Sequence, residues 1–141
     1  MLNKEVIEQK IKQIISYLKE VEPVLQLNFE EYKKDIYKIR TLERNTQLII
    51  DNVVDINNEL IADKNAEPAE DYFDSFTKLE KLAILPNELV GVLAPLTGLR
   101  NRLVHEYEKI DQEILFVTMK KRAEKIKEYL KIVSEKIGEV A

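Results

Sequence analysis

The sequence predicts an all-α protein, an antiparallel bundle of about five helices. Three observations carry that expectation. Apolar residues recur at three- and four-residue intervals along most of the chain, and no useful stretch alternates with the two-residue period of a strand. Glycine is scarce, at three residues, so little interrupts the helical rhythm. Charged residues make up 34% of the chain, as in helices with solvated outer faces. A length of 141 residues suffices for one core and reads as a single domain over residues 1–141.

The first helix is expected from about Leu2 to Val21, on Val6, Ile7, Ile11, Ile14, Ile15 and Leu18, with Pro23 marking its end. A loop or short turn follows. A second, long helix is expected from about Phe29 to Ala62, since no Gly or Pro breaks the rhythm of Tyr32, Ile36, Ile39, Leu42, Leu48, Ile49, Val53, Ile56 and Leu60. The polar stretch Asp63 to Asp71, with Pro68, reads as the main linker. A third helix spans about Asp71 to Ala83, on Phe73, Phe76, Leu79 and Leu82. Pro86 suits the first turn of a fourth helix that runs to about His105, and Pro95 inside it should kink it or loosen one turn. The fifth helix, about Asp111 to Ile137, opens with Asp111 as its N-cap, carries Ile114, Leu115, Val117, Ala123, Ile126, Tyr129, Leu130 and Val133, and meets Gly138 as terminator.

Composition removes several chemistries. There is no cysteine, which excludes structural disulfides, thiolate catalysis and Cys-based zinc sites. One histidine excludes a multi-histidine metal site within a chain, and no metal or other cofactor is expected. A net charge of −4 argues against broad, salt-driven binding to nucleic acid, but leaves room for a local basic cleft. The first residues mix charges with apolar positions and do not read as a signal peptide. No apolar run approaches the roughly 18 residues of a membrane span. A cytoplasmic protein is expected.

One short stretch, GLRNRLVHEYEKID from Gly98 to Asp111, gathers the single histidine, two arginines and a tyrosine. Counting about 100° per residue from Leu89, the apolar stripe ends on Leu99 and Leu103. Arg100 falls inside that stripe, where a guanidinium is costly without an anionic partner. His105 falls nearer the opposite side. Tyr107 would point away from His105 on a continuous helix, so a shared site requires the helix to end near His105. The EKID that follows, with Asp111 as the next cap, fits such an ending.

Arg100, Asn101, Arg102, Leu103, Val104, His105, Glu106 and Tyr107 read R-N-x-L-V-H-x-Y. This resembles the R-x4-H-x-Y signature of HepT-type toxins in the HEPN superfamily. The segment Glu43 to Ile61 is similar to that family's second helix, and Ser75 to Tyr107 to its run into the motif. The resemblance implies an all-helical, two-fold dimer with a metal-independent ribonuclease site. It implies Arg100 and His105 as catalytic residues, Asn101 and Arg102 in support, and a type II/VII-like toxin–antitoxin pairing. The partner would be a minimal nucleotidyltransferase antitoxin that silences the toxin by adding AMP to Tyr107. In one respect this chain departs from the pattern. Ile50 stands where the family often carries a glutamate before its aspartate, so no supporting role is carried over to Asp51 or Asp55.

The residues allow that chemistry independently. RNA supplies its own nucleophile, the 2′-hydroxyl. A ribonuclease then needs a base, an acid for the leaving 5′-oxygen and positive charge on the phosphorane-like transition state. Histidine suits both proton roles and arginine the phosphate. With one histidine per chain, two proton-transfer groups are most simply gathered across a two-fold axis. Other readings stand beside this one: a non-catalytic adaptor that binds a nucleotide or partners a nucleotidyltransferase, or a purely structural dimer. On the blandest reading His105 is a surface residue or caps a helix end, Arg100 and Arg102 are solvated or pair with Glu106 and Glu108, and Tyr107 packs with its hydroxyl wet. Tyr17, Tyr32, Tyr37, Tyr72 and Tyr129 are read as packing residues. Arg40 and Arg44 read as a solvated face, with a basic cleft as the alternative. The basic, amphipathic stretch Lys120 to Lys131 reads as an ordinary outer face, because glutamates are interleaved.

Overall fold

A computed structural model describes residues 2–106 and 109–138. Seven α-helices and no strand are found among these residues. They are α1 (Lys4–Leu25), α2 (Phe29–Lys33), α3 (Ile36–Asp63), α4 (Tyr72–Lys81), α5 (Asn87–Leu93), α6 (Leu96–His105) and α7 (Gln112–Gly138). No helix among them is long and apolar enough to cross a membrane.

The all-helical bundle is as expected, but the number of helices is not. The long second helix divides into α2 and α3 although neither Gly nor Pro lies between. Polar caps divide it instead. Asn28 and Glu31 close a capping box over α2, and the Asp35 carboxylate accepts from the N–H groups of Tyr37 (3.0 Å) and Lys38 (3.3 Å) at the start of α3. The turn between them brings Tyr32 fully inside, where it packs on Phe116 of α7 with ring centroids 4.7 Å apart. The expected fourth helix divides at Ala94–Pro95, where proline cannot donate into the ladder. Pro23, expected to end α1, lies within it. The helix continues for two residues because Val24 and Leu25 become buried, and apolar burial outweighs the single lost hydrogen bond.

The Asp111 carboxylate accepts from the N–H groups of Glu113 (3.0 Å) and Ile114 (3.1 Å), so α7 opens on its expected cap. Its buried stripe follows the expected one at Leu115, Ile126, Tyr129, Leu130 and Val133 and departs from it in the first two turns. Phe116 and Met119 are inside, whereas Ile114 and Val117 are exposed, as are Val6, Ile15 and Phe73 on other helices. Tyr37, read as a packing residue, is 82% exposed.

Helices α1 and α3 run antiparallel along a polar seam. As residue numbers fall on α1 they rise on α3: Asn45 donates to Glu20 (2.9 Å), Asn52 to Gln13 (3.2 Å), and Lys10 pairs with Asp55 (2.9 Å). All seven helices feed one apolar cluster. Inside it, Tyr129 of α7 donates to Asn57 of α3 (2.5 Å), Asn57 donates to Ser75 of α4 (3.0 Å), and Ser75 donates to the Tyr72 carbonyl (2.7 Å). This buried chain of bonds fixes the first turn of α4 against α3.

Candidate active site around Arg100

The motif lies on α6, whose Leu96, Leu99 and Leu103 are buried. That packing turns Arg100 toward α3, as its place in the apolar stripe requires. Its Nε donates to the Asp51 carboxylate at 2.7 Å, and the two side chains are only 18% and 25% exposed. The Tyr72 hydroxyl donates to the same Asp51 oxygen at 3.1 Å. The Arg100 guanidinium carbon sits 4.6 Å from the centre of the Tyr72 ring. Its Nη1 donates to the Asn101 side chain at 3.3 Å. Three helices therefore fix one guanidinium: α3 through a carboxylate, α4 through an aromatic face, and α6 through the neighbouring amide. The Tyr72 phenol is pushed above its ordinary pKa, chiefly by burial and then by the Asp51 charge, so at neutral pH it remains a donor.

Two of these partners were not expected. Asp51 carried no assigned role, and Tyr72 was read as packing. Asp51 was legible in part, because an arginine in an apolar stripe demands an anion. Nothing local marks Tyr72, since α4 reaches Arg100 only through the tertiary fold.

Asn101, Arg102 and His105 are exposed on α6. Arg100 and His105 are five positions apart, so they leave α6 about 140° apart in direction. Among the described residues no hydrogen bond joins the two within one chain. The helix ends at His105. Glu106 has left helical geometry, at φ −137°, with its N–H donated to the Arg102 carbonyl at 2.8 Å. The break falls where a Tyr107–His105 site requires it. Tyr107 itself lies outside the described residues. The expected ion pairs of the bland reading do not include Arg100, whose carboxylate partner is Asp51.

A second feature adjoins this clamp. Arg40, Glu43, Arg44 and Gln47 of α3 line an open cleft of about 380 Å³ with Leu103 of α6. Arg40 pairs with Glu43 at 2.7 Å, and Arg44 donates to the neutral Gln47 at 3.5 Å. Elsewhere, the Lys120 to Lys131 stretch behaves as an ordinary outer face, with Lys125 paired to Glu128 and Lys127 to Glu124.

The profile of the Ribonuclease HepT-like family matches residues 8–133. A tRNA nuclease HepT of Aphanizomenon flos-aquae is 32% identical over 114 residues, 81% of this chain and 78% of that protein. The fold is that of a tri-AMPylated HEPN toxin of Shewanella oneidensis solved with its MNT antitoxin, with a TM-score of 0.85, 22% identity and coverage of 96% and 99% of the two chains. It is equally that of a chain in a mutant MntA–HpeT toxin–antitoxin complex, with a TM-score of 0.84, 21% identity and coverage of 92% and 98%.

Proposed function

Because the chain belongs to the Ribonuclease HepT-like family, we propose that it is a metal-independent endoribonuclease toxin, with Arg100 and His105 as its catalytic residues. The continuous core supports a single HEPN-like domain over residues 1–141, and on this reading two copies pair about a two-fold axis. The reading rests above all on the clamped Arg100. Two of its five N–H groups are engaged by Asp51 and Asn101, and three remain for an anion. A guanidinium fixed before the substrate arrives stabilises developing phosphorane charge with no reorganisation at the moment of reaction.

In the reaction the 2′-oxygen attacks the adjacent phosphorus, losing its proton to a base, and the bond to the 5′-oxygen breaks as that oxygen gains a proton from an acid. His105 of one protomer takes the first proton and His105 of its partner gives the second. The two-fold pairing explains how one exposed histidine per chain serves both steps. Asp51 and Tyr72 set the guanidinium's position. Asn101 holds its Nη1 edge, and Arg102, exposed two residues further along α6, adds positive charge to that helix.

The toxin is silenced by a nucleotidyltransferase antitoxin of the MNT type. The Tyr107 oxygen attacks the α-phosphorus of ATP and pyrophosphate leaves. The added AMP brings bulk and negative charge beside the arginines and takes the place of an RNA phosphate. The supporting parallel is the tri-AMPylated Shewanella oneidensis toxin. Its setting is the cytoplasm, where RNA and ATP meet.

The test compares wild type, Arg100→Ala and His105→Ala, each expressed without a partner, by growth and RNA integrity. Cleavage by wild type and its loss in both variants is the expected result. A harmless wild type that leaves RNA intact would overturn the reading in favour of a non-catalytic adaptor. Co-expression with the nucleotidyltransferase is expected to add AMP masses to wild type, whereas Tyr107→Phe keeps cleavage and gains none by intact mass spectrometry.

A further inference from the structure

We propose that the cleft lined by Arg40, Arg44, Gln47 and Leu103 is a second phosphate-binding subsite, which holds the backbone of an RNA strand beyond the scissile bond. The proposal rests on the nuclease reading and extends it.

The placement comes from α3. At about 100° per residue, Arg40 and Arg44 project within about 20° of the direction of Asp51, and Gln47 within about 40°. At 1.5 Å per residue, Arg44 lies about 10 Å and Arg40 about 16 Å from Asp51 along the axis. One face of α3 thus carries the carboxylate that fixes Arg100 and then, toward its N-terminus, two further guanidinium groups. Leu103, one turn beyond Arg100 on α6, forms the facing wall. A strand whose scissile phosphate rests on Arg100 has its neighbouring phosphates led along this face.

The charges favour an anion. Glu43 is the one acidic lining residue, and its side chain is 13% exposed, while that of Arg40 is 63% exposed. The other Glu43 oxygen accepts from Gln112 at 2.8 Å, so both oxygens of this carboxylate are engaged within the fold and little of it is left to repel an anion. Arg44 has a neutral partner in Gln47. The cleft keeps net positive charge in a chain of net charge −4. Residue type agrees. Arg40, Arg44, Arg100 and Arg102 are four of the five arginines, and all four lie on the two helices that form the cleft, whereas lysine provides 17 of the 22 basic residues overall. Arginine's fork matches a phosphate in two-point contact, which a lysine ammonium cannot do.

The experiment measures binding of a 2′-O-methyl oligoribonucleotide, which cannot be cleaved, by fluorescence anisotropy across a series of salt concentrations. Wild type is compared with Arg40→Ala/Arg44→Ala, with the single Arg44→Gln, and with Lys125→Ala/Lys127→Ala, which removes equal charge from the outer face of α7. Circular dichroism checks the fold of each. The arginine pair variant is expected to bind on the order of tenfold more weakly, and its slope of log K against log salt to shrink by about 1.4, at about 0.7 per single-strand phosphate contact. Arg44→Gln is expected to give about half that slope change, and the lysine variant little. An unchanged slope in the arginine variants, or an equal change in the lysine variant, overturns the subsite. So does displacement of the RNA by millimolar ATP from wild type but not from the arginine variant, which would reassign the cleft to free nucleotide. Loss of the antitoxin complex with RNA binding intact would reassign it to the protein partner and overturn it as well. A wild type that cleaves RNA yet shows no arginine effect removes only the subsite. A wild type that neither cleaves nor binds RNA removes the nuclease reading itself.

Discussion

At the scale of single residues, the decisive object is one guanidinium with three supports. Asp51 holds the Nε edge, Tyr72 covers a face and Asn101 holds Nη1. Removing a support without removing Arg100 tests whether position matters as well as charge. Asp51→Asn keeps a hydrogen-bond acceptor but loses the charge that fixes the fork. We expect kcat to fall about 10–100-fold, the scale set by an ångström of misplacement, with a smaller change in KM. Tyr72→Phe keeps the ring and is expected to stay within a few-fold of wild-type kcat. Tyr72→Leu loses the stack, worth about 0.5–2 kcal/mol, and is expected to lose kcat without a matching loss of melting temperature. Equal kcat values for the Phe and Leu variants would show that the ring has no part in placing Arg100. For Arg100→Lys, cleavage is expected to stay near the level of Arg100→Ala, because an ammonium cannot reach Asp51 and a phosphate in the same fork.

At the scale of elements, helix ends decide more than helix interiors. The division between α2 and α3 is made by Asn28 and Asp35, two side chains that satisfy otherwise unpaired N–H groups. Asp35→Ala is expected to lower the urea midpoint, because the N–H groups of Tyr37 and Lys38 lose their acceptor. The Asp35 carboxyl is held below its ordinary pKa, first by Lys38, so this contribution is present above the unfolded carboxyl range and fades as pH falls through the folded value. The end of α4 offers the opposite change. Ile84 donates to the Leu79 carbonyl (2.9 Å) and Ala83 to that of Glu80 (3.0 Å), which is a Schellman ending, but the left-handed position at φ 58° is occupied by Ala83. Glycine has no Cβ to strain there. Ala83→Gly is expected to raise stability by about 0.5–1 kcal/mol, and a loss of stability would show that the Ala83 methyl is worth more than the strain.

At the scale of the whole molecule, three tyrosines tie helices together through their hydroxyls: Tyr32 to Gln112 (2.6 Å), Tyr72 to Asp51 (3.1 Å) and Tyr129 to Asn57 (2.5 Å). Burial, the largest cause in each, pushes all three above the ordinary phenol pKa of 10.0. The folded state therefore keeps protons that the unfolded chain releases. Stability from this source is complete below about pH 10 and is lost as pH rises beyond it. Tyr129→Phe is expected to cost about 1–3 kcal/mol at pH 8 through the unpaired Asn57 side-chain oxygen, but to show a shallower decline between pH 10 and 11 in urea titrations. An equally steep decline would place the alkaline sensitivity elsewhere. The sequence alone determined the all-helical class, because apolar periodicity, the Asp111 cap and the Pro95 break are local, and local order fixes a helix. It also placed an arginine where only an anion could make it tolerable, and it carried a motif whose helix ends at His105. Tertiary structure decided the rest. Asp51 and Arg100 are 49 residues apart, and Tyr72 comes from a third helix, so their meeting depends on how α3, α4 and α6 pack. The burial of Phe116 in place of Ile114 at the start of α7 was settled by the aromatic cluster with Phe29 and Tyr32. Periodicity shows that a helix has an apolar face. Which residues on its margin become buried depends on the neighbours that cover it.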